Sequence, residues 1–260
     1  MTSPPPTPDP PEIADIDTSS DDYATRFAGP VGAWMLKVQE TITLDLLKPT
    51  GTRTVLEVGG GHGQLAGPLV AAGYNLTVLG SDHSCRKRIA ELVDKGACRF
   101  VTGNVVALPF EAGSFDAVLA FRLLTHCRRW PVLVRELCRV ARHTVIVDYP
   151  TSQSLNVIAP KLFGLKKRLE VNTRHWSLFR HREVLDAFAE NGYQLHSRRA
   201  EFALPMVLHR MLKCRPLSAA LEAVCRACGL TRLAGSPVIV RMGRTGARAA
   251  LAGLDTRSTS

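Results

Sequence analysis

The sequence predicts an α/β domain on a doubly wound, mainly parallel sheet of seven strands, the last of them antiparallel. Three observations carry that prediction. Apolar, β-branched runs alternate with stretches of helical periodicity, as in successive strand–helix–strand units. The first run, 53–58, breaks into four glycines within five positions, Gly59, Gly60, Gly61 and Gly63, and a short helical pattern follows. Two late runs, 194–202 and 237–242, follow a helix and supply a closing antiparallel pair.

Residues 1–20, with Pro4-Pro5-Pro6 and Pro10-Pro11, bury too little apolar surface to fold alone and read as a disordered acidic tail. Residues 21–48 form an amphipathic helical cap that stops before Pro49-Thr50-Gly51. The core spans 50–150, with strands at 53–58, 75–80, 98–103, 115–121 and 144–149 and helices at 64–72, 84–95 and 131–141. Residues 151–178 form an inserted cap above the strand ends. A helix at 182–191 opens a C-terminal part, 182–243, that holds the last two strands. The Gly-, Ala-, Ser- and Thr-rich residues 244–260 read as a flexible tail. The folded unit is thus a single domain, 21–243.

Charge is spread unevenly over the 260 residues. Six of the 23 acids and none of the 33 Lys and Arg fall within the first 22 residues, so the net +10 becomes +16 for the remainder. Such a surface attracts anionic partners, but no nucleic-acid-binding motif accompanies it, and a solvated arginine-rich surface is the simpler reading. Seven cysteines at irregular spacing form no disulfide framework, which suits a reducing cytoplasm. Cys225 and Cys228 have metal-like spacing but no second pair nearby, so they read as core residues and no metal is expected. No apolar run reaches the roughly 18 residues of a membrane span, and no signal-peptide layout opens the chain.

In an open α/β sheet, ligands bind beyond the carboxyl ends of the strands, near the switch in strand order. The glycine loop after Val58 sits at such an end, and three ligand classes compete for it. A phosphate-binding loop needs Lys followed by Ser or Thr, and between Val58 and Val70 there is no Lys, Arg, Ser or Thr. The segment Gly61–Ala66 matches the dinucleotide fingerprint G-x-G-x-x-A, with Asp82 at the distance of a ribose ligand. The third frame is Glu57-x-Gly59-x-Gly61-x-Gly63, in which a carboxylate faces a loop without phosphate ligands. That arrangement suits a cation such as a sulfonium and repels a pyrophosphate.

With these residues the chain resembles class I S-adenosylmethionine-dependent methyltransferases of the ubiquinone/menaquinone type, a Rossmann-like family. Four further motifs carry the resemblance in order: Val78–Ser84, Val101–Asn104 with Leu108-Pro109-Phe110, Gly113–Phe121, and Arg135–Ala141. The resemblance covers about residues 50–150. It implies S-adenosylmethionine as cofactor, bound by Glu57, Gly59, Gly61 and Gly63, with Asp82 on the ribose and Asn104 on the adenine amino group. Asn104 stands where the family usually has Asp, and an amide oxygen still accepts from an adenine N–H. His62 replaces a small hydroxyl residue, and Arg142-His143 shortens the usual Pro-Gly-Gly turn.

For the acceptor side, His126 beyond the fourth strand is the candidate base, and Arg122 is the candidate partner of an anionic substrate group. Tyr149 after the fifth strand and His175 at the end of the insertion are further candidate substrate residues, with Asp148 beside Tyr149. Tyr23, Arg26 and Phe27 are expected to close over the cofactor. The basic–apolar run 157–169 and the Met-rich run 204–212 read as a lid over a hydrophobic acceptor or as a peripheral membrane contact. The expected partner is a small-molecule methyl acceptor with an apolar or aromatic part. A cofactor-binding scaffold without turnover and a nucleic-acid methyltransferase are the competing readings.

Overall fold

A computed structural model describes residues 12–154 and 176–245. Seven strands form one sheet in the order β3-β2-β1-β4-β5-β7-β6. They are β1 Thr54–Val58, β2 Asn75–Gly80, β3 Arg99–Thr102, β4 Phe115–Ala120, β5 Ala141–Tyr149, β6 Tyr193–Ala200 and β7 Val238–Arg244. Strands β1 to β5 pair in parallel, and β7 runs antiparallel between β5 and β6. The predicted fold class is therefore observed. Strand order reverses between β1 and β4, which puts the switch point beside the glycine loop.

The two-residue period of a strand sends neighbouring side chains to opposite faces. In β1, Leu56 and Val58 join one core with Leu133, Val134 and Leu137 of helix α6, whereas Val55 joins the other with Leu46, Leu47 and Leu69. Glu57 follows the parity of Val55 and so points to the second face. Here α6 is Trp130–Val140, whose apolar residues recur at helical spacing, and fully burying each such leucine contributes about 1.5–3 kcal/mol.

On the second face lie the long helix α3, Gly29–Leu47, and the short α4, Ala66–Ala71. The expected helix 84–95 is instead a 3-10 stretch, His83–Ile89, followed by α5, Ala90–Asp94. The tail is corrected too: within the segment read as disordered, Ala14–Ser19 is a helix, α1, with Asp15 fully buried. Helix α2, Asp21–Thr25, follows it. Tyr23 of α2, Phe27 between the helices, and Val31 and Met35 of α3 pack with Phe202 in a third apolar cluster.

Most of the expected insertion, including His175 and the run 157–169, lies outside the described residues. Its two ends are pinned together, since Ser152 N–H donates to Phe179 O at 2.9 Å and Phe179 N–H to Pro150 O at 3.1 Å. Helix α7, His181–Ala189, leads into β6. Three helices, α8 Met206–Leu212, α9 Arg215–Ala227 and α10 Leu230–Ala234, connect β6 to β7. Cys225 and Cys228 are not core: Cys225 is partly exposed and Cys228 exposed, at the end of α9. Among the described residues, no helix is long and apolar enough to cross a membrane and no side-chain cluster could hold a metal ion.

Candidate cofactor site

The glycine loop turns by two left-handed residues, Gly59 at φ 71° and Gly63 at φ 68°, on either side of a 3-10 turn, Gly60–His62. Side-chain-free backbone is also required at Gly60, where a Cβ would lie 2.8 Å from both Glu57 Cδ and Val78 Cγ1. The loop therefore lies directly on the Glu57 carboxylate. A cavity of about 10 Å³, room for one water, opens between Thr18, Glu57, Gly59, Gly60, His62, Gln64, Phe121 and Arg122.

Five buried polar atoms on that lining have no hydrogen-bond partner among the described residues: Glu57 Oε2, His62 Nδ1, His62 Nε2, Gln64 Oε1 and Arg122 Nη1. Buried polar groups are nearly always paired, so these atoms are open to an ordered water or a polar ligand. Burial also pushes the Glu57 carboxyl up to about 8. His62 is driven down to about 4, mainly by burial and further by the charge of Arg122. An acid and a guanidinium on one small cavity suit a zwitterion: Glu57 complements a cation, and Arg122 an anion.

Helix α3 supplies the hub behind this cavity. Gln39 Nε2 donates to Glu201 Oε1 at 2.9 Å and to Asp148 Oδ2 at 3.3 Å, while its Oε1 accepts from Arg122 Nη2 at 3.2 Å and from Gln64 Nε2. Asp148 at the end of β5 accepts the Arg122 backbone N–H at 2.5 Å, which holds Arg122 in its left-handed conformation, φ 57°. Burial raises Asp148 to about 6 and Glu201 to about 8. The Arg122 guanidinium also lies over the Phe27 ring at 4.1 Å, and His62 meets Tyr23 and Phe27 edge-on at 5.6 and 5.4 Å. Tyr23 and Phe27 thus pack on His62 of the loop.

The remaining expected residues are placed differently. Asp82 is exposed at the end of β2 and caps the next turn, accepting from Ser84 N–H at 2.8 Å; hydrogen bonds from the Ser84 hydroxyl and then its N–H hold the carboxyl below the usual range. Asn104 caps its own loop by accepting from Val106 N–H at 3.1 Å. Beside Asp82, the Asp15 carboxylate of α1 accepts from Ser81 N–H at 2.6 Å and from the Ser81 hydroxyl. His126 is half-buried in the turn Leu124–His126, away from the cavity lining. Tyr149 is buried in the core beside Phe179, its hydroxyl 3.1 Å from His181 Nδ1, and is not on the lining of this cavity.

Sequence reasoning missed Gln39, Gln64 and Glu201, and read Asp15 and Thr18 as part of a disordered tail. Of these, Gln64 lay inside the Gly61–Ala66 fingerprint and Glu201 near the end of the strand run 194–202.

Comparison with known proteins bears on the family and the fold. Residues 56–147 match the methyltransferase domain family. An uncharacterized methyltransferase of Mycolicibacterium vanbaalenii is 35% identical over 89 residues, covering 34% of this chain. That match spans 35% of the relative, about a third of its length. Magnesium protoporphyrin IX methyltransferase from Synechocystis PCC 6803, solved with bound SAH, superposes with a TM-score of 0.61 at 14% identity, over 88% of this chain and 97% of that one. The [4+2]-cyclase SpnF superposes with a TM-score of 0.53 at 17% identity, over 79% and 80%. At such identities the likeness shows a shared fold, and one fold hosts more than one chemistry.

Proposed function

Since residues 56–147 are a methyltransferase domain of the class I S-adenosylmethionine-dependent family, we propose that this protein methylates a small-molecule acceptor with an apolar or aromatic part. The observation that carries the proposal is the convergence of unpartnered atoms from Glu57, His62, Gln64 and Arg122 above the glycine loop. S-adenosylmethionine, when bound, supplies an electrophilic methyl group on a sulfonium. In this reading Glu57 holds the cationic end of the donor and excludes anionic nucleotides. Gly59, Gly61 and Gly63 let the backbone approach it.

Asp82 and Asn104, at the ends of β2 and β3, are the proposed ribose and adenine ligands. Arg122 shares the cavity of Glu57 and Gly59, and that position favours the donor's α-carboxylate over an acceptor group. The protein's contribution to rate is then alignment of an acceptor with the methyl group, for which rigid placement matters most. His126 is the proposed base where the acceptor must lose a proton, and His175 is a proposed acceptor contact.

Titration calorimetry with S-adenosylhomocysteine tests the donor assignment. The expected result is one site per chain, weakened about tenfold or more in Glu57→Gln, since a charge-assisted contact contributes about 1.5–3 kcal/mol. No heat with the wild-type protein, together with no protection against thermal unfolding, overturns the proposal.

A further inference from the structure

Helix α9 is built inside out. Its buried positions are polar: Ser218 and Glu222 face inward, the latter accepting from Ala203 N–H, Leu204 N–H and His209 Nε2 at 2.8–3.0 Å. Its outward stripe is apolar, with Leu217, Ala220, Val224 and Ala227 exposed at spacings of three and four. The neighbouring helices repeat the pattern. Val207 and Met211 on α8 are exposed one turn apart, and so are Leu230 and Leu233 on α10. Of the ten large hydrophobic side chains that stand exposed among the described residues, six lie in this segment, and Val224 and Leu233 reach 63% and 76%.

The charges around these residues have one sign. Between 206 and 234 the exposed ionic side chains are Arg210, Lys213, Arg215, Arg226 and Arg232, and the lone acid, Glu222, is buried. A second copy of the same face would meet five like charges. The run 157–169 carries Lys161, Lys166, Lys167 and Arg168 and no acid, so it is repelled as well. An apolar surface rimmed by cations instead matches the interface of an anionic bilayer, where acyl chains take the apolar residues and headgroups take the basic ones.

We infer that α8, α9 and α10 form a peripheral docking face for anionic lipid surfaces. The helices span from the end of β6 to the start of β7, on the carboxyl side of the parallel strands, and α8 and α9 pack on α3. Docking there brings the membrane to the side of the sheet where the glycine loop opens. This surface is separate from the cavity at the glycine loop.

Flotation of the full chain with vesicles tests it, comparing phosphatidylcholine alone with a mixture of phosphatidylcholine and phosphatidylglycerol. Wild-type protein is expected to float with the mixed vesicles and not with the neutral ones, and added salt should release it. Near an anionic leaflet each basic side chain strengthens binding roughly fivefold, so Lys213→Glu with Arg226→Glu should reduce the bound fraction by about tenfold or more. Leu217→Asp with Val224→Asp, at exposed positions, should do the same while the circular-dichroism melt stays unchanged. Equal flotation with both vesicle types, or unchanged flotation in both double variants, overturns the inference. So does a concentration-dependent dimer that Leu217→Asp with Val224→Asp abolishes, because the face would then be covered by a second copy.

Discussion

Glu57 is an acid placed where its charge is costly. Buried at the end of β1 with one oxygen unpartnered, it is raised to about 8, so near neutral pH the ligand-free protein holds it mostly protonated. A bound ammonium or sulfonium favours the carboxylate, so binding releases a proton. Affinity for S-adenosylhomocysteine should therefore rise with pH, by at most about tenfold per unit below 8, and level off above it. Calorimetry in buffers of different ionisation enthalpy reads both the trend and the proton. A pH-independent affinity would mean that Glu57 does not meet the cation. Arg122 is the complementary case. A non-glycine residue in the left-handed region costs roughly 1–2 kcal/mol, and here the Asp148 carboxylate offsets that cost by accepting its N–H.

Among the elements, α1 covers the glycine loop. It lies across the glycine loop and the turn His83–Ile89, with Thr18 on the cavity lining and Asp15 bound to Ser81. Arg88 ties the end of the same helix down by donating to Ser19 O and Ser20 O, both at 3.1 Å. With α1 in place the cavity is about 10 Å³, whereas cofactor pockets run to several hundred Å³. We therefore expect α1 to shift as a nucleoside enters. Asp15→Ala removes its anchor on Ser81, and stopped-flow mixing should show S-adenosylhomocysteine binding several-fold faster. Slower or weaker binding would instead make α1 part of the donor site. Helix α6 has the opposite character: Glu136 accepts Leu108 N–H at 2.8 Å and Arg139 donates to Leu108 O and Phe110 O, which fixes the loop after β3.

For the whole molecule, three buried acids at the strand ends dominate how stability responds to pH, opposed between about pH 4 and 6.5 by one histidine, His62, held down to about 4. Glu57 and Glu201 are raised from 4.5 to about 8, and Asp148 from 3.8 to about 6. Between those limits the folded state keeps protons that the unfolded chain has lost, so their contribution is complete below about pH 4 and is lost as pH rises towards 8. Thermal melts of the ligand-free protein should therefore give a Tm that falls from pH 5 to pH 8, with a shallower fall in Glu57→Gln. A Tm that rises over that range would contradict the burial of these acids. The sequence by itself determined the strand runs, their parity, the glycine loop and Glu57 at its base. Each depends on neighbours a few residues apart, where a period of two and the freedom of glycine act directly. Only the tertiary structure decided the rest of the site. Asp15 meets Ser81 across 66 positions, Gln39 meets Arg122 across 83 and Glu201 across 162. Those pairings arise because the sheet order brings β1, β4, β5 and the end of β6 to one rim beneath α3, and no local pattern encodes which polar side chains will face one another there.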